Sequence, residues 1–111
     1  MKRNQFTIAF AFLLFALAAL AQTSPSQTSL TANPVFQKNC AKCHGPDAGG
    51  HFFGGPSLAS VKATAASAED LQNIIANGKG WFPMHRMPKF AGKLTPQDID
   101  ALVEQIRASN K

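Results

Sequence analysis

Three observations predict an all-α domain. Three stretches carry the caps and apolar spacing of helices, no run alternates as a strand, and long glycine- and proline-rich loops separate the helices. The first helix opens at Asn33-Pro34, a capping residue followed by proline at the first helical position, where a missing N–H costs nothing. Phe36, Cys40 and Cys43 then fall at i, i+4 and i+7 on one face, and Gly45-Pro46 ends the pattern. The second helix runs from Ser67 to about Asn77. Ser67 and Asp70 have capping-box spacing, Leu71, Ile74 and Ile75 form an apolar stripe, and Gly78 suits the C-terminal cap. The third starts at Thr95-Pro96, with Asp98 near the positive end of its dipole and Ile99, Leu102, Val103 and Ile106 on one face.

The loops, Gly45 to Leu58 and Gly78 to Gly92, are long for so small a domain. A flat apolar cofactor held between them would account for their length.

The chain divides into three parts. Residues 1–21 read as a signal peptide: Lys2-Arg3, then a nearly unbroken apolar run from Phe6 to Ala21 ending Ala19-Leu20-Ala21, with cleavage expected before Gln22. That run is shorter than the roughly 20 residues of a spanning helix. Residues 22–32 are polar and read as a flexible linker. Residues 33–111 form the domain, about 80 residues, a size that usually needs a staple such as a metal, disulfides or a large cofactor. Without Lys2 and Arg3, nine basic side chains face six acidic ones and are scattered along the chain. Nothing in that pattern calls for nucleic acid.

Cys40-Ala41-Lys42-Cys43-His44 is C-x-x-C-H, the haem attachment pattern. On a helix, residues i and i+3 lie on one side, so both thiols can reach the two vinyl groups on one haem edge. His44 projects on the same side and can ligate the iron. The rival chemistries fit less well. A redox dithiol would sit in a βαβ pattern, a disulfide across two residues closes too small a loop to stabilise much, and a zinc site needs four ligands.

Beyond that motif, Gly55-Pro56-Ser57-Leu58, Asn77-Gly78-Lys79-Gly80 and Met87-Pro88-Lys89-Phe90 leading into Gly92-Lys93-Leu94-Thr95 resemble class I c-type cytochromes, over essentially all of residues 33–111. The resemblance implies a small cytochrome c fold, in which the N- and C-terminal helices cross and one haem c sits between the two loops. It implies His44 and Met87 as iron ligands and a hydrogen bond from His44 Nδ1 to the Pro56 carbonyl. The segment between Gly80 and Met87 is longer than is usual in the family and adds Met84 and His85 as competing ligands. Met87 precedes Pro88, which biases it towards extended backbone, and keeps the family spacing to the closing helix.

Other residues carry weaker signals. His51 reads as an exposed loop histidine, Phe52 and Phe53 as cover for the haem edge or core, and Trp81 as a propionate donor or a packing residue. Lys42, Lys79, Arg86, Lys89 and Lys93 form a docking set for an acidic partner or are simply solvated.

A haem with both axial positions filled leaves no site for substrate, and no nucleophile–base pair appears elsewhere. The expected function is one-electron transfer between redox partner proteins in a periplasmic or equivalent extracytoplasmic space, with no enzymatic activity and no small-molecule substrate. The alternatives are a dedicated cytochrome subunit of a dehydrogenase, or a peroxidase or gas sensor if the sixth position is open.

Overall fold

A computed structural model describes residues 28–80 and 86–109. The expected leader, most of the expected linker, and Trp81, Met84 and His85 lie outside the described residues. A 3-10 turn, Leu30–Ala32, is followed by α1 (Pro34–Asn39), α2 (Ala41–His44), α3 (Val61–Thr64), α4 (Ala68–Asn77) and α5 (Pro96–Ala108). Among the described residues no strand forms. Two isolated bridges occur, Lys79 with Met87 and Ala91 with Leu94.

Helix α5 is the platform. Its start is fixed by a reciprocal capping box: the Asp98 N–H donates to Thr95 Oγ1 at 3.1 Å, and the Thr95 N–H donates to Asp98 Oδ2 at 3.0 Å. Pro96 occupies the first turn. The expected stripe of Ile99, Leu102, Val103 and Ile106 is buried, and Leu102 is only 1% exposed. Helices α3 and α4 and the 3-10 turn all pack on α5.

Helix α4 begins at Ser67, whose Oγ accepts from the Asp70 N–H at 3.0 Å, and ends at Gly78, whose N–H donates to the Ile74 carbonyl at 2.8 Å. Leu71 and Ile75 enter the core, whereas Ile74 is half-buried at its edge.

Helix α1 starts as expected, with Asn33 Oδ1 accepting from the Val35 N–H at 2.9 Å and Pro34 following. Asn33 also donates from Nδ2 to Gln105 Oε1 at 2.8 Å, a buried bond across 72 residues. The N-terminal helix is thereby tied to α5, with fully buried Phe36 in the same core as Leu102.

Three expectations need correction. The first helix is not continuous to Cys43. It is interrupted at Cys40, whose φ of −115° departs from helical geometry, and α2 restarts at Ala41. The linker expected over 22–32 does not extend that far, because Leu30 is 3% exposed and packs in the core beside α5. The short α3, capped by Ser60 Oγ accepting from Ala63 N–H, was not anticipated.

Leu102→Ala removes a side chain with no route to solvent and should cost about 2–5 kcal/mol of stability in chemical denaturation of the holoprotein. A loss below about half a kilocalorie would show that α5 does not carry the core.

Candidate functional site: the attachment turn and its loop

Cys40, Cys43 and His44 are gathered within one turn. The N–H groups of Cys43 and His44 both donate to the Cys40 carbonyl, at 3.1 and 2.9 Å. Cys40 is half-buried against the core, Cys43 is exposed, and both thiols are free. Burial pushes the Cys40 thiol up to about 11, and neighbouring Cys43 adds to the shift. A redox dithiol works through a thiolate of lowered pKa. Cys40 has the opposite bias.

His44 closes α2 and is buried, 7% exposed. Its Nδ1 lies 2.8 Å from the Pro56 carbonyl oxygen. A carbonyl can only accept, so Nδ1 carries the proton and Nε2 keeps its lone pair for a metal. Among the described residues no group of three or more His, Cys, Asp or Glu side chains could hold a metal ion.

The loop that brings Pro56 back is fastened to the same turn. The Gly50 N–H donates to the His44 carbonyl at 2.6 Å, the Gly55 N–H to the Cys43 carbonyl at 2.7 Å, and the Leu58 N–H to the Ala48 carbonyl at 2.9 Å. Gly55 packs closely against the imidazole: a Cβ there would stand 2.5 Å from His44 Cε1 and 2.6 Å from Nδ1. A Cβ on Gly54 would stand 2.5 Å from the Cys43 carbonyl oxygen. Sequence reading placed Gly55 in a motif but missed what both glycines do. The signal was the Gly-Gly pair ahead of Pro56. It also missed Gln37, whose Nε2 donates at 2.8 Å to the carbonyls of both Thr31 and Pro46. That bond pair ties the 3-10 turn to the chain leaving His44, and a lone glutamine on a helix gives no warning of it.

Two free thiols within one turn, an imidazole with one nitrogen fixed and the other free, and a glycine against that ring fit a covalently bound haem. Met87 lies elsewhere in the chain, half-buried against the core, with its backbone paired to Lys79. His51 is exposed, as are Lys42, Lys79, Arg86, Lys89 and Lys93. Phe52 and Phe53 do not join the core. They are 92% and 90% exposed and meet each other edge-to-face at 4.8 Å. The tight turn from His51 to Gly55, in which the His51 N–H donates to the Gly55 carbonyl and the Gly54 N–H to the His51 carbonyl, leaves both rings facing outwards.

Comparison with known proteins agrees with this geometry. Residues 29–106 match the family described as cytochrome C oxidase, cbb3-type, subunit III. Cytochrome c6 of Leptolyngbya boryana is 35% identical over 71 residues, covering 61% of this chain and 76% of that protein. Among solved structures, the KustC0563 c-type cytochrome is 27% identical with a TM-score of 0.58, over 76% of this chain and 100% of that one. The c-type cytochrome XoxG of Methylobacterium extorquens AM1 is 27% identical with a TM-score of 0.57 over 68% of this chain. This chain spans only 45% of XoxG. The c-type cytochrome NirC is 26% identical with a TM-score of 0.52, over 70% of this chain and 84% of that one. With the attachment turn, the fixed imidazole and a family match over most of its length, this chain belongs to that family and is a c-type cytochrome, an electron carrier with one haem c bound through Cys40 and Cys43.

Proposed function

We propose that this cytochrome passes single electrons between redox proteins of an extracytoplasmic chain, with His44 and Met87 as the two axial iron ligands. The observation that carries the carrier reading is the state of Met87. It is half-buried on the core, and its backbone N–H and carbonyl are both engaged by Lys79, at 2.8 and 3.2 Å. A donor held in that way suits a filled sixth position, which leaves no room for a substrate. Bound haem supplies a reversible one-electron couple at iron. The chain's part is to hold the ring and the thioether. The Pro56 carbonyl fixes the His44 tautomer and raises its donor strength. The soft sulfur of Met87 favours ferrous iron and so a higher potential.

Export is the second element of the proposal. It is supported by the basic start, the apolar run and Ala19-Leu20-Ala21. Among the described residues no helix is long and apolar enough to cross a membrane. Lys42 adjoins the attachment turn, and Lys79, Arg86 and Lys89 flank Met87 in sequence or by pairing; all are exposed. Such a set suits an acidic redox partner. A second reading, a dedicated cytochrome subunit of one oxidoreductase, is favoured by the matched family's description as an oxidase subunit. Co-purification as a stable stoichiometric complex would select it over a free carrier.

Under denaturing conditions the mature protein should weigh the polypeptide plus one haem, and acid-acetone should extract none. Cys43→Ala, which leaves one thioether, should sharply lower the yield of haem-bound protein. The intact mass should place the first residue at or near Gln22, and a full-length, membrane-retained product would refute cleavage. Met87→Ala should remove the methionine-to-iron charge-transfer band of the ferric protein and lower its reduction potential. If the band and potential survive, Met87 is not the ligand.

A further inference from the structure

The segment bearing Met87 is bonded to the end of α4. An α-helix leaves its last four carbonyls without intrahelical partners. Here three of them are taken: Ile74 by the Gly78 N–H at 2.8 Å, Ile75 by the Phe90 N–H and Ala76 by the Ala91 N–H, both at 3.0 Å. Upstream, the Lys79 N–H donates to the Met87 carbonyl and the Met87 N–H donates back to the Lys79 carbonyl. Met87 is thus fixed on one side by the bridge and on the other by the bonds of Phe90 and Ala91.

Gly78 stands at the meeting of these contacts. Its φ of 79° and ψ of 173° lie in a region that only glycine occupies comfortably. A Cβ on it would stand 2.5 Å from the Met87 carbonyl oxygen, 3.1 Å from the Lys89 nitrogen and 3.2 Å from the Pro88 carbonyl carbon. All three are backbone atoms, so no side-chain rotation relieves the collision.

We infer that Gly78 is a positioning residue for the sixth iron ligand: its bare Cα leaves the space into which the Met87 carbonyl fits, and that fit fixes where the Met87 side chain departs. The inference rests on Met87 being the ligand. A side chain at 78 must push the Met87 carbonyl away, break the bond from Lys79 and move the thioether off its aim. Gly92 supplies the control. Its φ is 81°, yet a Cβ there would meet nothing within 4 Å. An alanine at 92 therefore carries a positive-φ penalty without the collision.

The test is an absorption titration of the mature ferric holoprotein with imidazole, which competes for the sixth position. Imidazole binds only the fraction with methionine released, so its apparent affinity reports that fraction. Gly78→Ala should bind imidazole about tenfold more tightly than the natural protein, with a weakened charge-transfer band, while Gly92→Ala stays within about twofold. Lys79→Pro, which removes one bridge donor and leaves Gly78 in place, should shift affinity in the same direction and serves if Gly78→Ala yields too little holoprotein. Equal tightening in the Gly78 and Gly92 variants would overturn the inference, because strain alone would then explain it. So would a Gly78→Ala affinity within about twofold of the natural protein when Met87→Ala binds far more tightly, and in that case the ligand assignment stands. If Met87→Ala itself leaves the affinity unchanged, the ligand assignment fails and the positioning role fails with it.

Discussion

The hydrogen bond from His44 Nδ1 to the Pro56 carbonyl is the constraint around which the site is assembled. It fixes which imidazole nitrogen is free, and it requires the chain to leave His44 and return within twelve residues. That return needs close approaches that side chains would block. Gly54 passes the Cys43 carbonyl, Gly55 packs against the ring, and Gly50 turns with a φ of 86° against the Ser57 nitrogen. The loop also bonds back to the carbonyls of Cys43 and His44, so it reinforces the turn that carries the imidazole.

The helices do the complementary work. Helix α5, with its capping box and apolar face, is the surface on which α3, α4 and the 3-10 turn assemble. The buried Asn33–Gln105 bond sets how the N-terminal turn meets α5. A buried amide pair is a directional contact, whereas apolar packing alone tolerates sliding. The start of α1 is therefore pinned, and the attachment turn follows only a few residues later.

Local chemistry was readable from the sequence, and long-range packing was not. Asn33-Pro34, Ser67, and Thr95-Pro96 with Asp98 marked three helix starts correctly, because a cap is a contact between residues two or three apart. The Cys40 and Cys43 pair was legible for the same reason, and the contact of His44 with the Pro56 carbonyl came through the resemblance to class I cytochromes. Leu30 was hidden, since one apolar residue in a polar stretch acquires meaning only from a partner helix far along the chain. Helix α3 is too short to show a period. The outward turn of Phe52 and Phe53, read as cover for the haem edge or core, is set by the backbone of their tight loop, which keeps them out of the core.

The engagement of the α4 carbonyls by Phe90 and Ala91 has a consequence for how the protein breathes. The end of a helix is ordinarily its least protected part and frays independently of its surroundings. Here fraying α4 would forfeit the two bonds that hold the chain after Met87, and lifting that chain would strip the helix end of its acceptors' partners. Burial of Phe90 adds apolar surface to whatever opens. The helix end and the Met87 segment therefore form one cooperative unit in local unfolding, so their slowly exchanging amides should share a single opening free energy.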